Sequence, residues 1–333
     1  MSKISTIVIS YNEKDYITRA IQSIVSQLSS GIELEIIIGD DGSNDGSLSI
    51  IQTIEKEYSS EDISFKHFVV DRPSPNEPII PSFRVSSLIK RGLSMATGEY
   101  CVILSADDHF CDKYFFSRAI NYLDSHTDYF SYVSGFIFSS EKACEHIPMV
   151  VSNFLFWAHY DYFHISCFVF RKIQPELLLE RFCDDTGLVY SIINQGKCKS
   201  ENYISFEYIQ RDNGIMRSSK QCELIIIDVM IFQDILNDRN KKPRYIFASY
   251  SRFFGYIKEL YNHREELNDP HYSHYLKSCS EYNNDIVGKM AKKSGCKRFI
   301  WFYSLYLRMA LIHFPISFIW RITKFSKRIN HTK

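Results

Sequence analysis

The strongest constraint on this chain is the alternation of short, unbroken apolar runs with helical periods between residues 5 and 124. Thr6-Ile7-Val8-Ile9 is β-branched and continuous, the pattern of a strand covered on both faces. Ile17, Ala20, Ile21, Ile24, Val25 and Leu28 then recur at helical spacing and make one apolar face. Residues 34–38 read as a second buried strand, closed by Gly39-Asp40-Asp41-Gly42-Ser43, which is turn chemistry. Ile50, Ile51, Ile54 and Tyr58 mark a second helix, and 63–70 a third strand. A Pro-rich loop over 73–81 leads into a helix ending near Ala96, and 100–104 is a fourth strand. This order predicts an α/β fold, Rossmann-like and doubly wound on a mostly parallel sheet. Ligands of such sheets lie beyond the carboxyl ends of the strands. The residues to watch are therefore Ser10 to Glu13, Gly39 to Asp45, and Ser105 to Asp108.

Beyond residue 124 the pattern loosens. Strand-like runs at 129–138 and 165–170 are followed by a helical stretch near 186–195, then by another over 222–238. From Arg244 onward the chain is aromatic and mostly helical. The expected organisation is one catalytic-type domain over 1–218, with halves at 1–124 and 125–218, and a helical region over 219–333. Residues 1–10 lack a basic segment followed by an apolar core, so no secretory signal is expected. The nine cysteines are odd in number and contain no CxxC pair, which fits free thiols in a reducing compartment.

Carboxylates gather at the strand ends. Asp40 and Asp41 follow the second strand, and Asp107 and Asp108 follow the fourth. Like charges at one rim repel unless a cation stands among them, and a divalent ion carrying a diphosphate satisfies that need with oxygen ligands. Taken alone, Asp40 to Gly46 reads as a plain turn rather than a site. A calcium loop is excluded because position twelve is Gln52 and a strand precedes it. No GxGxxG follows the first strand and no GxxxxGK[ST] occurs, which removes the support for dinucleotide and P-loop readings.

Three segments together resemble a known family: Ile7-Val8-Ile9-Ser10-Tyr11-Asn12-Glu13, then Ile36 through Ser47, then Ala96-Thr97-Gly98-Glu99-Tyr100 leading to Ala106-Asp107-Asp108. In this order and spacing they are similar to the family-two glycosyltransferases of GT-A fold, of the kind that build bacterial capsule and O-antigen. The resemblance covers 4–124 well and 125–220 more loosely. It implies that Ser10, Tyr11, Asn12 and Glu13 line a nucleotide pocket and that Asp40 accepts a hydrogen bond from a uracil ring. Asp107 matches the last Asp of the DxD motif, which binds Mn²⁺ or Mg²⁺ on the donor diphosphate, and Asp108 the acid that follows near the sugar or ribose. Arg84 and Lys90 fall where the family places groups near the donor, and they read equally as solvated helix charges. Two departures stand out: Ser10 replaces the usual Pro, and Ser105 replaces the first Asp of DxD.

An inverting sugar transfer needs a base for the acceptor hydroxyl. Asp184 and Asp185 open an apolar helical stretch, where the helix dipole favours a charged carboxylate. By resemblance Asp185 is the base and Asp184 the acid beside the acceptor; by spacing alone a catalytic role and helix capping are even readings. Asp212 takes the place of a family His near the metal, a weak oxygen ligand. His164 earns no role, and His271 with His274 lacks a third metal partner.

Lys plus Arg and Asp plus Glu both total 39, yet residues 286–333 hold eleven cations and no acid, so the rest of the chain carries an equal acidic excess. Within 299–329, Phe318, Ile319, Ile322, Phe325 and Ile329 share one face, with Arg321, Lys324 and Arg328 on the other. That is a basic amphipathic helix suited to a membrane interface. No nucleic-acid motif accompanies the charge, so nucleic acid is not the expected partner. The expected function is transfer of a sugar from a nucleotide donor, UDP-linked by resemblance, to a lipid-linked saccharide at the cytoplasmic face of the cell membrane. A sugar-nucleotide nucleotidyltransferase and a non-catalytic sugar-nucleotide or membrane-binding module are the rival readings.

Overall fold

Strand β1 (Ser2–Ser10) lies at the centre of a parallel array, with β2 (Ile32–Asp40) on one side and β4 (Tyr100–Ser105) on the other. The computed structural model describes residues 1–72, 80–139, 144–147, 150, 152–153, 156–157, 163–179, 185–210, 221–238, 243–273 and 275. By internal contacts the chain forms two compact units, 1–150 with 162–210, and 151–161 with 211–333.

In the first unit, β3 (Ile63–Val69) extends the parallel array beyond β2. Ile4, Ile7, Val8, Ile36, Ile37, Ile38, Val102 and Leu104 are buried, as continuous apolar strands require. Helices α1 (Ile17–Val25), α2 (Ser47–Tyr58) and α3 (Pro81–Met95) connect these strands. Gly92 lets α3 press on β1: a Cβ there would lie 2.4 Å from Cγ2 of Ile7. The strands are longer than the apolar runs that predict them, because Ser2, Lys3 and Ser10 complete the ladder with backbone groups alone.

Past β4 the sheet becomes mixed. The strands β5 (His109–Phe110), β6 (Tyr129–Ser139), β7 (Cys144–His146), β8 (Phe168–Arg171) and β9 (Lys197–Ile209) complete nine, in the order β3-β2-β1-β4-β8-β6-β9-β5 with β7 on β6. β8 runs antiparallel to both β4 and β6, whereas β9 runs parallel to β6 with register shifts. Helix α4 (Phe115–Ser125) packs its buried Phe115, Phe116, Ala119, Ile120 and Leu123 beside β6. Two local readings change. The run 165–170 splits into a 3₁₀ turn, Ile165–Cys167, and then β8. The thirteen-residue β9 has no alternating apolar signature, since Lys197, Lys199, Glu201 and Glu207 interrupt it.

In the second unit α6 (Gln221–Asn237) is apolar nearly all round, with Ile226, Val229, Phe232 and Ile235 buried, and it packs on α7 (Pro243–Asn262). Trp157 stacks on Phe232 at 5.7 Å and donates its indole N–H to Ser249 Oγ at 2.9 Å. His271 pairs with Glu223 at 2.5 Å; His274 lies outside the described residues. The domain boundary expected at 218 and the basic stretch 299–329 also lie outside them. Among the described residues no helix is long and apolar enough to cross a membrane.

Candidate functional site

The carboxyl ends of β1, β2 and β4 share one rim because register pairs Ser10 with Asp40 and Ile9 with Ser105. Backbone bonds continue past the ladder: Asp41 N–H donates to Ser10 C=O, Ala106 N–H to Ile9 C=O, and Val70 N–H to Asp40 C=O. The segments that follow the strands are thereby held side by side.

The first cluster is a clasp between 10–13 and 40–47. Asn12 stands in the left-handed region at φ 55°, a conformation that Asn tolerates. Its N–H donates to Ser43 Oγ at 2.8 Å, and its Oδ1 accepts from Asn44 N–H at 3.0 Å. Glu13, also buried, donates its N–H to Ser47 Oγ at 3.0 Å. Asp40 is buried and accepts from Ser43 twice, from its N–H at 2.7 Å and its hydroxyl at 2.6 Å. Asp40 therefore shapes its own loop, and each oxygen keeps lone-pair capacity for a further donor.

Asp41 carries the cations. Arg72 meets its Oδ2 at 2.6 Å, and Arg84 meets its Oδ1 through Nε at 2.8 Å. Arg84 also donates to the Val70 and Asp71 carbonyls. Arg72 lies 3.3 Å from the centroid of the Tyr11 ring, which is 39% exposed. Lys90 is half-buried on α3. Sequence reading passed over Arg72; it is set by the fold, thirty-one residues from Asp41.

The second cluster follows β4. Asp107 is half-buried and its carbonyl accepts from Arg19 at 3.4 Å. Asp108 is buried, and its Oδ1 accepts from Ile209 N–H at the end of β9, at 2.7 Å. His164 Nε2 stands 3.9 Å from the other oxygen, Oδ2. The His164 ring stacks on Phe206 at 4.8 Å and lies against Tyr208 at 5.2 Å. Burial pushes its imidazole down to about 4, with the Asp107 charge acting the other way. This is the second residue that sequence reading set aside; its neighbours on β9 are far along the chain, and no local pattern announces them.

Asp185 opens α5 (Asp185–Gln195). Desolvation pushes its carboxyl up to about 6, against a hydrogen bond from the Ile165 N–H, although the residue keeps some exposed surface. Ile165 directly follows His164, so the Asp107, Asp108, His164 and Asp185 groups are linked by successive contacts. Asp184 and Asp212 lie outside the described residues.

The chemistry of this arrangement is a loop clasp with buried carboxylates, then a carboxylate pair at a strand end, then a carboxyl poised near 6 at a helix start. Among the described residues no three His, Cys, Asp or Glu side chains close around a metal. Asp107 supplies a hard oxygen just past β4, which fits an Mg²⁺- or Mn²⁺-like ion that takes one or two carboxylates and completes its shell on phosphates.

Residues 5–77 match the family model described as Glycosyl transferase family 2. Abequosyltransferase RfbV of Salmonella typhimurium is 26% identical over 208 residues, 62% of this chain and 55% of that protein. The alignment to the first mycobacterial relatives is 30% identical over 126 residues, so the chain spans about a third, 32%, of their length. Among solved structures, S. aureus TarS 1-349 in complex with UDP-GlcNAc has a TM-score of 0.58 at 15% identity, covering 87% of this chain and 82% of that one. Mannosyltransferase PcManGT of Pyrobaculum calidifontis, in complex with GDP-Man and Mn²⁺, has a TM-score of 0.52 at 14% identity, covering 93% and 86%. At such identities the likeness is one of fold, and the fold is the GT-A type that the family resemblance implies.

Proposed function

We propose that this chain, whose residues 5–77 match the Glycosyl transferase family 2 model, moves a sugar from a nucleotide donor to a saccharide hydroxyl with inversion at the anomeric carbon. The observation that carries this reading is Asp185: a carboxyl raised to about 6 and held by the Ile165 N–H, linked through His164 to the Asp107–Asp108 pair. A base near neutrality is what removal of a hydroxyl proton during attack requires. Asp185 takes the acceptor proton as the acceptor oxygen bonds to the anomeric carbon, and the bond to the diphosphate breaks with its electron pair leaving on the nucleoside diphosphate.

Ser10, Tyr11, Asn12, Glu13 and Asp40 line the nucleotide end in this reading, and Asp108 faces the sugar. Asp107 would hold Mn²⁺ or Mg²⁺, with Asp212 as a second oxygen. When bound, that ion supplies Lewis-acid stabilisation of the leaving diphosphate. The donor is a UDP-sugar and the acceptor a lipid-linked saccharide used in surface polysaccharide synthesis. The basic stretch 299–329 would bring the protein to the inner membrane face as a peripheral contact. TarS bound to UDP-GlcNAc and PcManGT bound to GDP-Man and Mn²⁺ support the donor class, and RfbV supports the saccharide setting.

The test is a thermal-shift panel of nucleotide sugars with and without Mn²⁺, followed by transfer to a short saccharide on a lipid carrier. One donor should raise the melting temperature, and transfer should release nucleoside diphosphate with inverted anomeric configuration by NMR. Retained configuration, or pyrophosphate release from a nucleoside triphosphate and a sugar phosphate, overturns the reading.

A further inference from the structure

The His164 imidazole lies beside Asp108, and the next residue in the chain, Ile165, lies beside Asp185. His164 caps the short 3₁₀ turn Ile165–Cys167, and its Nδ1 accepts from Ser166 N–H at 3.3 Å. An imidazole nitrogen that accepts carries no proton, so the ring hydrogen of the neutral form is on Nε2. Nε2 is the atom that faces Asp108 Oδ2 at 3.9 Å.

Three features hold the ring in that direction. Phe206 stacks on it with planes 21° apart, Tyr208 and Phe136 flank it at 5.2 and 6.2 Å, and Ser166 fixes its rotation from below. Asp108 is held at its other oxygen by Ile209 N–H. A full hydrogen bond needs about 3 Å or less, and rotation of the Asp108 carboxylate is the movement that would close the 3.9 Å separation. On the backbone side, the very next N–H, that of Ile165, goes to Asp185.

We propose that His164 is a positioning residue: its Nε2–H orients the Asp108 carboxylate toward the donor sugar, while the turn it caps presents the Ile165 N–H that holds Asp185. This rests on the transferase reading above. The ring itself neither receives nor gives up a proton in the transfer step. It sets the distance between the carboxylate on the sugar side and the base on the acceptor side.

The experiment compares the full chain with H164F and H164Q. Phe keeps the stack on Phe206 and removes the donor; Gln returns an N–H near the Nε2 position. All three should melt within a few degrees of one another. H164F should lose 10-fold or more in kcat/KM for the nucleotide sugar, and H164Q should return to within about threefold of wild type. A packing role would move both variants together and in step with the melting temperature, and that result overturns the proposal. A second readout does not depend on turnover. In protein labelled with ¹⁵N-histidine, the ring signals missing from H164F should report Nε2–H with an unprotonated Nδ1, and they should shift in D108N. The opposite tautomer, or signals indifferent to D108N, overturns the proposal even where transfer is normal. Wild-type chain that binds no nucleotide sugar and transfers none would instead defeat the transferase reading, with the NMR result still deciding where the His164 proton points.

Discussion

The backbone N–H of Ile165 donates to the carboxylate of Asp185, joining the 3₁₀ turn before β8 to the first residue of α5. That bond stabilises the charged form, and burial works against it more strongly, which leaves the carboxyl near 6. The pH consequence follows from the sign. With Asp185 as the proposed base, kcat/KM should rise as pH rises through about 6 and level off above it. D185N should lose at least 100-fold and lack that limb, measured as initial rates between pH 5 and 8.5.

The same shift predicts a stability effect of opposite direction to activity. The folded state binds the Asp185 proton more tightly than the unfolded chain, so its contribution is complete below 3.8 and is lost as pH rises through about 6. At pH 7.5 the buried charge costs up to about 3 kcal/mol by the pK difference. D185N should therefore be more stable than wild type at pH 7.5 and equal to it near pH 4, read by urea melts at both pH values.

Glu35 titrates the other way. Burial opposes its charge, but hydrogen bonds from Lys66, Ser5 and Thr97 prevail and hold the carboxyl at about 2. Its stabilisation is present above the ordinary 4.5 and is lost as pH falls toward 2. E35Q should lose about 3 kcal/mol at pH 7, and its denaturation midpoint should converge on wild type near pH 2.

Gly92 is required for close approach rather than for its dihedrals. G92A should cost about 1–3 kcal/mol by overpacking against Ile7. Shortening the neighbour to Ala should recover part of that loss, so a double-mutant cycle of G92A with I7A should show favourable coupling.

Metal dependence has a direct test. Chelation with EDTA should remove transfer and added Mn²⁺ or Mg²⁺ should restore it, while D107A should stay inactive at every metal concentration and melt like wild type. Retained turnover after chelation would take the metal away from Asp107.

The parallel half was readable from residues alone because strands buried on both faces are continuous apolar runs, and Thr6 to Ile9 and Ile36 to Ile38 are such runs. The acids after them were readable too, since a strand end is also a chain position: Asp40 and Asp107 had to come to one rim once β1, β2 and β4 paired in parallel. β9 was not, because its burial comes in part from pairing with β6 at shifted register, and its lysines and glutamates hide any period.

Local periodicity thus determined where the parallel strands run in the chain and which carboxylates follow them. Only the tertiary structure decided that Arg72 would cover Tyr11, that Arg84 would pair with Asp41, and that His164 would sit on Phe206 facing Asp108. Those contacts join residues brought together by packing, and a side chain's neighbours across a sheet leave no spacing in the chain that could announce them.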